Sequence, residues 1–158
     1  MKSDYMKACL SAYFRFTNGC SCIATEAGSY SSDFLVVRKH KLVEVEIKVT
    51  KADLNADFRK PKHKIYESGR DSQWTPNQFY FAVPKELVAY AVSKCVDTPY
   101  GVMVVNESTR KYMWKDRVKV VKRAKKLHDR PVARVVIHTI YSRLASEMAR
   151  LRINEQLK

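Results

Sequence analysis

The stretch LVEVEIKVT, residues 42–50, decides the fold, because apolar and charged residues alternate along it. Successive side chains of a β-strand point to opposite faces of the sheet, so a period of two predicts a strand with two unlike faces. The apolar members are Val43, Val45, Ile47 and Val49, and the charged members are Glu44, Glu46 and Lys48. We therefore predict a strand that packs on one face and presents charge on the other.

The segments around this strand predict an α/β protein with a mixed central sheet flanked by helices. Strands are predicted at 21–25, 34–37, 42–50, 79–83 and 102–105, with 112–114 as the hairpin partner of the last. Helices are predicted at 5–17, from a cap at Thr50 or Asp53 to Tyr66 with an interruption at Pro61, from Pro84 to about 97, and from Pro131 onward. The run at 79–83 suits a central strand covered on both faces. Residues 1–158 are expected to form one domain that ends in a basic segment and a terminal helix.

Length and composition fit a compact, positively charged domain. The chain has 158 residues, of which 46% are hydrophobic, too many for a disordered or collagen-like chain. Its 30 Lys and Arg outnumber its 16 Asp and Glu, and the net charge of +14 points to a polyanionic partner, most often nucleic acid. No apolar run reaches the roughly 18 residues that a membrane span needs, and the N-terminus has no secretory-signal core. We therefore expect an intracellular protein, cytoplasmic or nucleoid-associated, without membrane contact and with reduced cysteines.

Two carboxylates and a lysine are expected to meet on the charged face of the strand. Asp33 opens the preceding strand, and a short hairpin would bring it close to Glu46, with Lys48 two residues farther on. Carboxylate oxygens are ligands for Mg²⁺ or Mn²⁺, and the lysine can orient or deprotonate an attacking water and offset charge on a phosphate. Glu26, at the end of the strand before, can reach the same place.

The residues alone leave a structural alternative open for each member of this group. Glu44, Glu46 and Lys48 also suit the solvated face of an edge strand with cross-strand ion pairs. Asp33 also suits a turn cap after two serines, and Glu26 suits a surface carboxylate. The four histidines share no ligand spacing and are expected on the surface or in the core.

The acidic residues follow a recognisable spacing. Glu26-x6-Asp33-x12-Glu46-x-Lys48 resembles the core of the PD-(D/E)XK nuclease superfamily. That resemblance implies a restriction-endonuclease-like core with a metal site on the two central acids.

A closer resemblance is to the MmcB-like DNA-repair family within that superfamily. It lies in residues 46–60, EIKVTKADLNADFRK, in Tyr66 and in residues 79–84, FYFAVP. The resemblance covers about residues 20–105, and the hexapeptide is its most specific part. The chain departs from the family pattern before Asp33, where the family usually has an Arg, and in a longer link at 67–77.

The resemblance implies a DNA nuclease that depends on Mg²⁺ or Mn²⁺ and serves repair, recombination or replication. It implies metal ligation by Asp33, Glu46 and the backbone carbonyl of Ile47, with Lys48 as the catalytic cation and Glu26 as an accessory acid. A catalytically silent DNA-binding or inhibitor module on the same fold is the main alternative. A basic scaffold that binds protein or RNA is a third.

Basic residues cluster late in the chain. Residues 110–130 contain ten Lys and Arg and only two acids, which favours contact with a phosphate backbone. The residues expected to contact nucleic acid are Lys60, Lys62, Lys64, Lys119, Lys122, Arg123, Lys125 and Lys126. Since no base-reading motif is present, single-stranded, duplex and branched DNA all remain candidate partners, and a homodimer is left open.

Overall fold

A computed structural model describes residues 1–68, 72–107 and 114–156. The helices are α1 (Ser3–Ala12), α2 (Lys51–Asp57), α3 (Pro61–Ser68), α4 (Val88–Cys95), α5 (Trp114–Arg117) and α6 (Arg134–Gln156). The strands are β1 (Cys22–Ala27), β2 (Ser32–Arg38), β3 (Lys41–Ile47), β4 (Gln78–Pro84), β5 (Gly101–Val105) and β6 (Val118–Lys122). A π-helical turn, Tyr13–Thr17, follows α1, and a 3₁₀ turn, Lys85–Leu87, precedes α4.

The six strands form one mixed sheet in the order β1-β2-β3-β4-β5-β6. The first three strands are antiparallel neighbours, β3, β4 and β5 are parallel, and β6 returns antiparallel to β5. Helices connect the parallel strands, as parallel pairs require. The predicted α/β class, with a mixed sheet flanked by helices, is confirmed.

Strand β3 lies in the middle of this sheet, and both of its faces are buried. On one edge β3 pairs antiparallel with β2, where Val45 lies opposite Phe34. On its other edge β3 pairs parallel with β4. Glu44 is 1% exposed and Glu46 is 2% exposed, so the charged face does not meet solvent. The alternative of a solvated edge strand is therefore wrong, because β2 and β4 pair with both edges of β3 and helix α3 covers its charged face.

The alternation along β3 separates two packing layers. Val43, Val45 and Ile47 pack with Met6 and Leu10 of α1. On the opposite face, Phe79 and Phe81 of β4 join Leu54, Tyr66 and Tyr100 in an aromatic-rich layer. The acids of β3 point to this second layer, since residues directly paired across a sheet share a face and Glu46 pairs with Phe81.

Several predicted boundaries differ from the structure, most clearly those of the first helix, the third strand and the last hairpin. Helix α1 ends at Ala12, where the chain passes into the π-helical turn. Strand β3 ends at Ile47 rather than at 50, because Thr50 caps α2 and Lys48 begins the turn toward it. The hairpin partner of β5 is β6, so the prediction of 112–114 is wrong: Trp114 begins α5, and residues 112 and 113 lie outside the described residues.

The terminal helix α6 covers β1 with its first half. Val136 and Ile140 are fully buried against β1 and β2, whereas Met148 and Leu151, farther along, are 46% and 57% exposed. Across the described parts of the chain, none of the helices combines the length and the apolar character that crossing a bilayer would require.

Candidate functional site

The structure brings Asp33, Glu46 and Lys48 together where β2 begins and β3 ends. The ammonium nitrogen Nζ of Lys48 lies 2.7 Å from Glu46 Oε2 and 3.5 Å from Asp33 Oδ2. The backbone N–H of Ile47 donates to Asp33 Oδ2 at 2.9 Å. Because the N–H and C=O of one strand residue point to the same side, the Ile47 carbonyl is directed to the side of Asp33 as well.

A second lysine binds the other oxygen of Glu46. Lys62 Nζ, on α3, lies 2.6 Å from Glu46 Oε1 and 2.7 Å from Glu44 Oε1. The hydroxyl of Tyr66, one turn farther along the same helix, donates to Glu44 Oε2 at 2.6 Å. Helix α3 thus supplies one cation and one neutral donor to the two buried acids of β3.

Asp57, the last residue of α2, completes the group. Its Oδ2 lies 2.9 Å from Lys48 Nζ and 2.6 Å from Lys60 Nζ, although neither ammonium is aligned with it as a hydrogen bond. Its Oδ1 lies 2.8 Å from His63 Nε2. We call Glu44, Glu46, Lys48, Asp57 and Lys62 the buried charge network. Asp33 and Lys60 stand at its solvent edge, with 29% and 47% of their side chains exposed.

Helix capping places Asp57 beside the end of β3. Thr50 accepts the backbone N–H of Asp53 at 3.1 Å, and the Thr50 hydroxyl donates to the Asp53 carboxylate at 2.8 Å. This reciprocal cap, the role expected of both residues, starts α2 four residues after the end of β3. Because α2 starts so close to the end of β3, its last residue, Asp57, lies beside the charged face of that strand.

The charges in the network hold one another ionised. Burial opposes the charge on Lys48, but the carboxylates of Glu46 and Asp57 outweigh it and raise the pKa of Lys48 above its usual range. Burial likewise opposes ionisation of Asp57, and its contacts with His63, Lys60 and Lys48 lower the pKa of that carboxyl. Burial and the nearby Glu46 carboxylate raise the pKa of Asp33. The carboxylates therefore favour the charged form of Lys48, and the neighbouring Asp33 and Glu46 carboxylates repel each other.

The donor atoms at this site are of the kinds that a hard divalent ion accepts. Asp33 and Glu46 supply carboxylate oxygens and Ile47 a carbonyl, which are the ligand types that Mg²⁺ and Mn²⁺ accept. Asp57 Oδ2 is a buried oxygen without an aligned hydrogen bond. Within 1–68, 72–107 and 114–156, no group of three or more His, Cys, Asp or Glu side chains is arranged to hold a metal. An ion at Glu46 Oε2 would replace the contacts of Lys48 and Lys60 with that oxygen.

Glu26 is not brought into the network. Its carboxylate, 56% exposed, lies 2.6 Å from Lys7 Nζ and 3.6 Å from Arg143 Nη2, so it links α1 to α6. Neighbouring pairs in the β1–β2 hairpin place Glu26 across from Asp33, but its backbone φ of 48° lies in the left-handed region and not in the extended range of a regular strand. The accessory role expected of Glu26 therefore has no contact that supports it among the described residues.

Two residues expected to bind nucleic acid point away from solvent. Lys62 is 2% exposed and lies inside the network, so it cannot meet a phosphate backbone. Lys122 donates its ammonium protons to the carbonyls of Thr98 and Tyr100, at 3.2 and 2.5 Å. The other expected residues are exposed: Lys60, Lys64, Lys119, Arg123, Lys125 and Lys126.

Sequence reasoning missed several members of the site. Asp57 lies within residues 46–60 but has no role among the predicted site residues, and the spacing of His63 to the other histidines predicts only a surface or core position. The four-residue spacing of Lys62 and Tyr66, which puts both on one helix face, was the available signal for α3. No local signal predicts Tyr100, because its partner His63 is 37 residues away.

The comparisons with known proteins extend the fold but not the function. A solved structure of a protein of unknown function from Silicibacter pomeroyi is similar to this chain, with a TM-score of 0.63 and 18% sequence identity. The similarity covers 94% of this chain and 90% of that one. No protein-family model and no curated protein matches the chain. At this identity the likeness shows the fold alone, so any functional argument rests on the chemistry of the site.

Proposed function

We propose that this chain is a divalent-metal-dependent nuclease that hydrolyses DNA phosphodiester bonds and acts in repair, recombination or replication. The observation that carries the proposal is the convergence of Asp33, Glu46 and Lys48 within 3.5 Å at the end of a central strand. A lysine and two carboxylates in one fixed group match the needs of phosphodiester hydrolysis, and the +14 charge suits a polyanionic substrate.

Each residue has a distinct task in this proposal. Asp33, Glu46 and the Ile47 carbonyl would hold Mg²⁺ or Mn²⁺, which when bound supplies Lewis acidity to the phosphate and activates water. Lys48 stabilises the negative charge that builds on the phosphate in the transition state. Because the carboxylates of Glu46 and Asp57 raise the pKa of Lys48, we assign it the role of a cation.

In this proposal the exposed basic residues contact the DNA backbone. Lys60 lies just before α3 and Lys64 on it, and Lys119, Arg123, Lys125 and Lys126 lie on and after the edge strand β6. Strand β6 is three strands from β3, which is about 14 Å at the usual strand spacing. That separation is within the width of a duplex, so one DNA segment can meet both groups. The lack of a base-reading element favours recognition of DNA structure over sequence.

A silent DNA-binding module on the same fold is the second candidate. The observation that favours it is the saturation of Glu46, whose two oxygens are occupied by Lys62 and Lys48. A network already neutralised by lysines can serve stability alone, without ever holding a metal.

Cleavage of a substrate panel separates the two candidates. The panel contains single strands, duplexes, flaps and junctions, each assayed with Mg²⁺, Mn²⁺ or chelator. We expect metal-dependent cleavage that falls by about two orders of magnitude in Lys48→Ala, while DNA affinity stays within about threefold. Lys48→Arg should restore little, since a guanidinium is too broad for the point contact. If wild type binds the panel tightly and cuts none of it, the binding module takes the place of the nuclease.

Metal binding can be tested without activity. Neighbouring carboxylates repel each other, so a bound ion should stabilise the fold by mass action, by about 2.7 kcal/mol at a hundredfold excess over its dissociation constant. We expect Mn²⁺ to raise the melting temperature of wild type and to leave Asp33→Asn/Glu46→Gln unchanged. An equal response of both proteins would place any ion elsewhere.

A further inference from the structure

Three buried polar side chains form a line from the aromatic layer to Lys48. His63 Nε2 lies 2.8 Å from Asp57 Oδ1, and His63 Nδ1 lies 2.9 Å from the hydroxyl oxygen of Tyr100. The three residues come from α2, from α3 and from the position before β5, and none is more than 3% exposed. Elements far apart in sequence are therefore joined through one imidazole ring.

The hydrogen-bond chemistry gives this line one direction. The ionised carboxylate of Asp57 only accepts, so His63 Nε2 carries the proton that it donates. When the ring is neutral, His63 Nδ1 is the acceptor and the Tyr100 hydroxyl donates to it. Burial raises the pKa of Tyr100, which keeps that proton on the phenol. A neutral imidazole thus satisfies both of its neighbours, and turning the ring over would break both bonds.

Aromatic packing prevents such a turn. The His63 ring stands nearly perpendicular to Phe79, at 87° and 5.3 Å between centroids, and stacks on Phe58 at 26° and 5.9 Å. Its centroid is 5.1 Å from that of Tyr100. Because interiors are packed at nearly crystalline density, a ring enclosed in this way keeps its orientation. The orientation of His63 in turn sets the plane of the Asp57 carboxylate.

The second oxygen of that carboxylate faces the proposed catalytic cation. Lys48 Nζ lies between Asp57 Oδ2, at 2.9 Å, and Glu46 Oε2, at 2.7 Å. A lysine side chain has four rotatable bonds, so its ammonium needs fixed contacts to stay in place, and the contact with Asp57 is the one that a metal ion on Glu46 Oε2 would leave intact. Burying Asp57, His63 and Tyr100 costs desolvation energy that an apolar trio of similar size would avoid. A role that offsets this cost is to fix one arrangement of the side chains around Lys48.

We propose that Asp57 is a positioning residue for Lys48, and that His63 and Tyr100 hold the Asp57 carboxylate in the required orientation. The kinetic consequence rests on the proposed function, since it concerns the rate of cleavage. The geometric consequence, a fixed Lys48 ammonium, does not.

Kinetics of three variants test the first consequence. Asp57→Asn removes the charge, and Tyr100→Phe removes only the hydroxyl at the far end of the line. Cys95→Ala is the matched control, because Cys95 is fully buried in the same aromatic-rich layer. We expect kcat to fall by about 10–100-fold in Asp57→Asn, and less but in the same direction in Tyr100→Phe, with KM for DNA within about threefold. Cys95→Ala should lose stability and keep kcat, assayed well below its melting temperature.

Side-chain NMR tests the second consequence without any activity. In protein labelled with ¹⁵N-lysine, a buried and fixed ammonium exchanges its protons slowly and gives an observable signal, which Lys48→Arg assigns. We expect the Lys48 signal to remain in Cys95→Ala, to shift in Tyr100→Phe and to broaden or vanish in Asp57→Asn.

The outcomes separate the proposal from the function on which it rests. If wild type cleaves DNA and both Asp57→Asn and Tyr100→Phe keep its kcat, the positioning role is overturned. If wild type cleaves nothing, the nuclease fails, and the NMR spectra decide the positioning by themselves. A Lys48 signal that is the same in all variants would overturn it.

Discussion

The buried charge network and the basic edge segment, residues 118–126, use the same residue types in opposite ways. The network holds three acids and two lysines, none more than 7% exposed. The edge segment holds five Lys and Arg and no acid. Four of the five are exposed, and Lys122 is half-buried. Buried charges interact strongly and stay in place, whereas exposed charges are screened by salt and mobile. The network therefore suits fixed chemistry, and the edge segment suits attraction of a polyanion.

The largest difference between the regions should appear when one cation is removed. Lys62→Met leaves Glu44 and Glu46 buried without their shared partner, which should lower the free energy of unfolding by about 3–5 kcal/mol. Lys64→Met, on the exposed side of the same helix, should change it by less than about 0.5 kcal/mol. Urea denaturation measures both values. Equal losses would mean that burial does not distinguish the two lysines.

Charge removal in the edge segment should change the salt dependence of DNA binding and not the stability of the fold. Replacing Lys119, Arg123, Lys125 and Lys126 with Gln should flatten the dependence of duplex affinity on salt by up to about 0.9 per lost phosphate contact. Arg150→Gln/Arg152→Gln, which removes exposed charge from α6, is the control and should leave the slope unchanged. Fluorescence anisotropy across a salt series measures it. An unchanged slope in the fourfold variant would place the DNA path elsewhere.

The network should also respond to acid. The folded-state pKa of Asp57 is lowered, so the unfolded chain binds this proton more readily than the folded chain does. The stability from Asp57 is present above the unfolded-state pKa of about 3.9 and is lost as pH falls through and below that value. We expect Asp57→Asn to be about 1–3 kcal/mol less stable than wild type at neutral pH.

That gap should narrow as the pH is lowered below about 4, because wild type alone loses a stabilising carboxylate there. Urea denaturation at several pH values follows the two proteins side by side. A gap that stays constant into the acid range would show that an ionised Asp57 is not what holds the network.

The smallest effect is expected at Glu26, whose side chain is exposed to solvent like the basic residues of the edge segment. Surface ion pairs contribute about 0–1 kcal/mol, so Glu26→Gln should leave stability nearly unchanged. It should also leave metal-dependent cleavage within about twofold of wild type, while Asp33→Asn abolishes it. Cleavage rates on one DNA substrate measure the contrast. A loss beyond about tenfold in Glu26→Gln would assign it the accessory role that its spacing suggests.

Much of the architecture was predictable because its signals are local. The alternation in residues 42–50 predicts a strand with two unlike faces, and Thr50 with Asp53 predicts the start of α2. The apolar run at 79–83 predicts a central strand, which the structure confirms in β4. The wrong prediction at 112–114 has a local cause as well. The strand that pairs with β5 is β6, and its basic, half-apolar sequence has a weak strand signal because charged residues are tolerated at the edge of a sheet.

By itself the sequence determined the period of β3, the order of the elements, the surplus of positive charge and the juxtaposition expected of Asp33 and Glu46. Only the tertiary structure decided that the charged face of β3 is buried, that Lys62 serves Glu44 and Glu46, and that His63 joins Asp57 to Tyr100. The physical reason is that periodicity tells which residues share a face, but not what covers that face. A buried charge keeps its place only with partners at matched distances, and α2, α3 and the start of β5 supply those partners from remote parts of the chain.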